Sequence, residues 1–269
     1  MKIIIVFPIY LVSKDSEKYL ITEKSFKYWN HLKSILKDEN IELIFKIIGS
    51  EENLSKDLTL TYFNIDEYLE VSQGNVNYFN RENLNTVVGK KFLKGYEEAV
   101  ELNPDLIFIT KNNHFISRKY FIDVVNDYKK NPLSKNYYGM GHYKNNFILC
   151  TLNKDGNINY NDIYTNDIYI KTDMFDACLI SIPKILYQNY KLNYHEFTEI
   201  TLQNDLDKLG GIKHFIYNNY IFNIKSIDNN INITNLDSIK NLPIINKLND
   251  IKILDNNLLY EDFNIINEI

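Results

Sequence analysis

Three polar turns in this sequence each follow a short apolar run, and each offers groups that could act on a ligand. Pro8-Ile9-Tyr10 closes the first run, Gly49-Ser50-Glu51 the second, and Lys111-Asn112-Asn113-His114 the run that ends at Thr110. If the runs are parallel strands, their carboxyl ends are where ligands gather in open α/β sheets. Lys111 then supplies a positive charge beside the amide of Asn113 and the imidazole of His114. No Gly-x-Gly-x-x-Gly or Walker loop follows any of the three, which argues against dinucleotide oxidoreductases and P-loop enzymes. No serine nucleophile elbow is present either. Lys90-Lys91 opens a helix in this reading and could approach phosphates, although such lysines are usually only solvated. His142 follows Gly139-Met140-Gly141, where a turn already accounts for the glycines. His195 reads as a surface residue at a helix start, and His31 and His214 as structural residues. The many tyrosines and phenylalanines would suit sugar stacking, but most must fill the core of a chain with one tryptophan.

The elements that position these turns follow from pattern. Lys2 to Tyr10 is a β-branched and aromatic run, read as a buried strand. Ser16 can cap a helix reaching about Lys37, with apolar positions at Leu20, Phe26, Trp29, Leu32, Ile35 and Leu36. Ile41–Ile48 is a second strand, and Asp57–Val71 reads as short strands and turns. A helix over Val88–Leu102 ends at Asn103-Pro104, Leu106–Thr110 is an interior strand, and Arg118–Lys129 is a helix. This alternation predicts an α/β fold with a central sheet, mostly parallel in its N-terminal half and flanked by helices. Beyond it, Tyr137–Tyr143 and Phe147–Leu152 read as strands and Thr151–Thr172 as a surface loop. Ile182–Tyr190 and Glu196–Leu209 read as helices, the second closed by Gly210-Gly211, and Lys213–Ile224 as a late strand. The expected organisation is one domain over residues 1–225, with an Asn/Ile-rich extension over 226–269 packed on it or partly mobile.

Composition bounds the function. Over 269 residues, 45 % are hydrophobic and 24 % charged, ordinary values for a globular chain. The net charge of −5 discourages general nucleic-acid binding. Cys150 and Cys178 lack disulfide or zinc spacing and fit a reducing compartment. The apolar opening is broken by Pro8 and soon meets Lys14, Asp15, Glu17 and Lys18, unlike a signal peptide. No stretch approaches the roughly 18 apolar residues of a membrane span. The expected location is the cytoplasm. Abundant Asn, Ile, Lys and Tyr reflect A/T-rich codons, as in a virus (then in host cytoplasm) or an A/T-rich microbe.

Taken in order over roughly residues 1–220, these pieces resemble the GT-A family of nucleotide-sugar glycosyltransferases. Pro8-Ile9-Tyr10 matches a Pro-x-Tyr turn that lies against the nucleotide base, and Gly49-Ser50 matches a Gly-Ser turn ending the second strand. Asn85, Gly95 and Ala99 have the spacing of a helix that follows, and Phe175–Tyr187 that of a later strand and helix. Lys111 to His114 stands at the Asp-x-Asp metal motif, and Glu199 lies eleven positions before the helix-ending Gly210. The resemblance implies a GT-A-like fold, transfer of a sugar from a nucleotide diphosphate donor to an acceptor hydroxyl, and Glu199 as general base, with Glu196 as its rival. It also implies a donor site over Pro8, Ile9, Tyr10, Gly49, Ser50, Asn85, Lys111, Asn113 and His114. A plain solvated carboxylate at a helix start is the alternative for either glutamate.

Two departures matter. Ile47 and Ile48 stand where the family has acidic residues, and Lys111, Asn113 and His114 replace the metal-binding carboxylates. Asn113 and His114 could hold a divalent cation (manganese or magnesium) at a weak site, or a softer metal, Lys111 could neutralise the diphosphate with no metal, or the centre could be degenerate. The other function class is therefore a non-catalytic GT-A-like protein that binds a glycan or partner. Nucleic acid enters only as an acceptor, and no membrane is involved.

Overall fold

A computed structural model describes residues 1–72, 81–112, 114–116, 118–143, 148–152, 158–161, 170–190, 199–216 and 221–226. The proposed extension over 226–269 lies almost wholly outside them.

The first strand, β1 (Lys2–Pro8), is followed by α1 (Glu17–Asp38), β2 (Glu42–Gly49) and α2 (Asn53–Tyr62). After a single 3-10 turn come β3 (Tyr68–Glu70), α3 (Arg81–Glu101), β4 (Leu106–Thr110), β5 (His114–Ile116) and α4 (Arg118–Lys130). The second half holds β6 (Asn136–Tyr143), β7 (Ile148–Leu152), β8 (Ile158–Asn161), β9 (Ile170–Pro183), α5 (Lys184–Tyr187), α6 (Glu199–Lys208), β10 (Ile212–Ile216) and β11 (Ile221–Ser226).

Seven strands form the central sheet in the order β10-β6-β9-β4-β1-β2-β3. β4, β1, β2 and β3 are mutually parallel, and β9 enters antiparallel between β4 and β6. This is the α/β architecture expected from the sequence, with Leu106–Thr110 an interior strand. A second sheet, β5-β11-β7-β8, is assembled from the later segments.

The N-terminal strands are continuous apolar runs because helices cover both faces of the sheet. On one face α1, α2 and α4 pack over Ile3, Ile5, Phe7, Phe45 and Phe108, with Trp29 fully buried among Phe7, Phe45 and Phe121. On the other, α3, α5 and α6 cover Ile4, Val6, Ile48, Ile107 and Ile109. The period of two along each strand thus divides one run between two cores. A buried carboxylate links the layers: Glu67 accepts the Lys33 ammonium at 2.7 and 2.9 Å and the amides of Phe45 and Asn64 at 3.0 and 3.2 Å.

Local signals at helix ends are realised. The Ser16 hydroxyl accepts from the Tyr19 amide at 3.2 Å, and Gly210, just past the end of α6 after Leu209, takes φ +82°. Gly211 N–H then donates to the Leu206 carbonyl at 2.9 Å.

Five expectations are corrected. Residues 57–71 are not only strands and turns: α2 occupies their first part, because Ser55, Leu58 and Thr59 form an inward stripe that overrides the strand preference of its threonines. The helix expected from Val88 begins at Arg81. Ile182–Tyr190 is not one helix, since β9 runs to Pro183 along β4 and only Lys184–Tyr187 coils, an extended conformation being preferred before proline. The polar stretch 151–172 contains β8 and the start of β9, and Lys213–Ile224 divides into β10 and β11, which join different sheets. Among the described residues no helix is long and apolar enough to cross a membrane.

Candidate functional site

Pairing places the predicted turns together. Pro8 lies beside Ile48 in the β1–β2 register, and β4 flanks β1 on its other side, with Val6 beside Ile109. The turns after β1, β2 and β4 therefore leave the same edge of the sheet, β1 in the middle. α6 begins at this edge too: β10, which follows it, starts beside Asn136, the first residue of β6, and β6 runs in the same direction as β4. That puts the Glu199 end of α6 on the side of the three turns.

The turn after β1 is held by three hydrogen bonds. Ile9 N–H donates to the Ile48 carbonyl at 2.9 Å, Leu11 N–H to the Ser55 hydroxyl at 3.1 Å, and the Ile9 carbonyl accepts the Lys91 ammonium at 2.7 Å. Ile9 and Leu11 turn their side chains into the core, at 2 % and 1 % exposure, while Tyr10 between them is half-buried. Two cations address its ring from opposite layers of the fold. Lys18, in the first turn of α1, lies 5.5 Å from the ring centroid, and Lys91, on α3, lies 5.6 Å from it.

Glu52 completes the cluster. One of its carboxylate oxygens accepts the Ser55 hydroxyl at 2.6 Å, while the other is enclosed with no hydrogen-bond partner among the described residues. Burial pulls the Lys91 ammonium down to about 8; Glu52 opposes that shift and Lys18 adds to it. Lys18 reaches solvent, yet the protein crowded around its ammonium also holds it below the ordinary lysine range, again opposed by Glu52. The result is an aromatic surface with two closely held positive charges and one carboxylate. It can stack on a flat ring and attract an anion.

The other predicted residues divide. Gly49 serves packing: a Cβ there would stand 2.1 Å from the Tyr68 hydroxyl, which donates to the Ser50 carbonyl at 3.3 Å. Ser50 is 1 % exposed, so the Gly-Ser turn shapes the strand end from beneath. Lys111 is half-buried at the end of β4. Asn85, His114 and Glu199 are placed by their elements alone, α3, β5 and α6, and their side chains lie outside what is described. The cleft expected to be shared by Tyr10 and His114 depends on one of them. Asn113 and Glu196 lie outside the described residues.

The sequence alone does not single out Lys18, Glu52 and Ser55 as site residues, and it offers Lys91 as able to approach phosphates but as usually only solvated. It is 2 % exposed. Lys91 falls between Val87 and Gly95 on the inward stripe of α3, and a charge in that phase was the available signal. For Lys18 the signal was its sign, because a cation in a first turn opposes the helix dipole.

The donors expected for a divalent cation, Asn113 and the His114 side chain, lie outside what is described. Lys111 has no acceptor atom, and near Tyr10 a single carboxylate stands against two ammonium groups, whereas hard cations want several oxygens. Among the described residues no group of three or more His, Cys, Asp or Glu is placed to hold a metal.

No protein-family model and no curated protein matches this sequence significantly. Among solved structures the chain is similar to 4-diphosphocytidyl-2C-methyl-D-erythritol synthase from Anaerococcus prevotii, at 14 % identity over 88 % of this chain and 93 % of that one, with a TM-score of 0.41. It is also similar to a protein described as a nucleotide-diphospho-sugar transferase from Desulfovibrio desulfuricans, at 9 % identity, 79 % and 80 % coverage and a TM-score of 0.38. A third is CMP:2-keto-3-deoxy-manno-octonic acid synthetase complexed with CTP, at 10 % identity, 84 % and 90 % coverage and a TM-score of 0.38. Likeness at this level concerns the course of the chain and not its activity.

Proposed function

We propose that this protein is a glycosyltransferase that takes a sugar from a nucleotide diphosphate donor and needs no metal to do so. The observation that carries the reading is Tyr10, fixed at the carboxyl end of β1 and flanked by Lys18 and Lys91. The base would stack on Tyr10, and the diphosphate would lie toward Lys18 and Lys111. An acceptor hydroxyl attacks the anomeric carbon, the bond from that carbon to the diphosphate oxygen breaks, and the nucleotide diphosphate leaves. The hydroxyl proton passes to Glu199, or to Glu196 in its place. At an effective dielectric near 20, one lysine about 4 Å from a phosphate contributes roughly 4 kcal/mol of attraction before desolvation is subtracted. Fixed charges of that size, already in place before reaction, stabilise the departing diphosphate.

The test is a titration with UDP, CDP and GDP and their sugar conjugates, with manganese and with EDTA. Binding is expected to survive EDTA and to weaken about tenfold in Lys18→Ala and in Lys111→Ala, the loss of one charge-assisted contact. Binding that vanishes with EDTA and returns with manganese would show that Asn113 and His114 serve a metal. The replaced carboxylates at the end of β4 favour a second reading, a non-catalytic protein that binds a glycan or partner through the same cleft. Glycan binding with no nucleotide binding under any condition would establish it.

A further inference from the structure

Helix α1 brings more than Lys18 to the edge of the sheet that carries the three turns. One turn along it, the buried Thr22 donates its hydroxyl to the Lys18 carbonyl at 2.7 Å. The same oxygen accepts the side-chain amide of Asn112 at 2.6 Å. Asn112 directly follows Lys111, beyond the end of β4. Further along α1, the Tyr28 hydroxyl donates to the Ile116 carbonyl in β5 at 2.9 Å. The segment after β4 is thus tied to the helix that carries Lys18, at both of its ends.

We infer that Asn112 is a positioning residue: through Thr22 it sets the spacing between Lys18 and Lys111, so that the two ammonium groups address one diphosphate. This rests on the reading of the cleft as a donor site. The chemistry at the joint is specific. A threonine hydroxyl donates and accepts through one atom, serine can do the same, and valine, of the same shape, can do neither. An asparagine amide supplies the donor, whereas alanine supplies nothing. A lysine stem has a limited reach, so the range of distances open to the two ammonium groups is bounded by how their backbones are anchored, and this bond is an anchor between them.

The experiment measures the affinity of the full chain for UDP and for inorganic pyrophosphate. Asn112→Ala is expected to weaken both about tenfold, as the loss of a well-formed hydrogen bond can. In a Lys18→Ala or Lys111→Ala background the same substitution should cost less than about twofold, because coupled residues are not additive. Thr22→Val should behave like Asn112→Ala, and Thr22→Ser like the wild type. Thermal unfolding of each variant, run alongside, separates loss of fold from loss of spacing. An undiminished effect of Asn112→Ala in the lysine backgrounds, or Thr22→Ser behaving like Thr22→Val, would overturn the inference while leaving the donor site intact. A wild-type protein that binds neither probe would overturn the donor reading itself.

Discussion

Replacing Lys91 by methionine is expected to remove a rise of stability with pH that the wild-type protein shows between pH 8 and 10. Lys91 is 2 % exposed, and its ammonium is pulled down to about 8 from an ordinary 10.5, first by burial. Between those two values the unfolded chain keeps the proton and the folded chain releases it. The unfolded state therefore binds more protons, and stability increases as pH rises. The charged group's cost to the fold falls from about 3 kcal/mol at pH 8 to roughly 1 kcal/mol at pH 10. Methionine keeps an apolar stem and has no proton to lose. Urea unfolding of both proteins at several pH values should show the wild type gaining about 2 kcal/mol relative to the variant over this window. The comparison cancels the tyrosines, which also titrate near its upper end. Parallel curves would mean that Lys91 is not a buried cation. The variant also leaves the Ile9 carbonyl without its 2.7 Å partner, which loosens the turn that carries Tyr10. Nucleotide-diphosphate affinity should therefore fall by about tenfold or more, measured below pH 8 where the lysine is charged.

Gly95 carries the second large effect. A Cβ at this position would stand 2.4 Å from Ile48 Cδ1 and 2.6 Å from Val6 Cγ1, both on fully buried side chains. The isoleucine terminus can turn aside, but the valine is β-branched and held within the core, so α3 itself must lift. Gly95→Ala should cost about 1–3 kcal/mol in packing, against a gain of about 1 kcal/mol in helix propensity. Gly95→Leu should exceed the roughly 3 kcal/mol upper end of ordinary overpacking and leave little folded protein. Lys91 lies one turn away on the same helix, so lifting α3 also withdraws its ammonium from Ile9, and the alanine variant should lose nucleotide affinity along with stability. Lys90→Ala, exposed on the opposite side, is the control and should change stability by less than about 0.5 kcal/mol. Equal unfolding midpoints for wild type and Gly95→Ala would refute the close approach.

Both effects act on the turn after β1, and their legibility differs for a physical reason. Gly95 was visible as one member of a spaced set, but what a side chain there would strike was not, because Val6 and Ile48 come from two strands remote in the sequence. Lys91 was visible as a lysine and misplaced as solvated, because a helix start set at Val88 put it in the first turn. Its face is the same whichever residue starts α3, because Lys91, Gly95 and Ala99 stand four residues apart; the turns from Arg81 onward only take it out of the first turn.

The sequence by itself determined whatever depends on neighbours along the chain. The apolar runs Lys2–Pro8 and Leu106–Thr110 had to be strands buried on both sides, Ser16 had to start a helix, and Gly210 had to follow the end of one, because alternation, capping and left-handed turns are set within a few residues. Only the tertiary structure decided which strand ends stand side by side, that β9 enters antiparallel between β4 and β6, and that α1 and α3 each send a lysine to Tyr10. Strand order, register and the burial of a charge are fixed by pairing and packing between segments tens of residues apart. A local pattern places Lys91 on an inward stripe, but which carbonyl its ammonium meets is decided by packing alone.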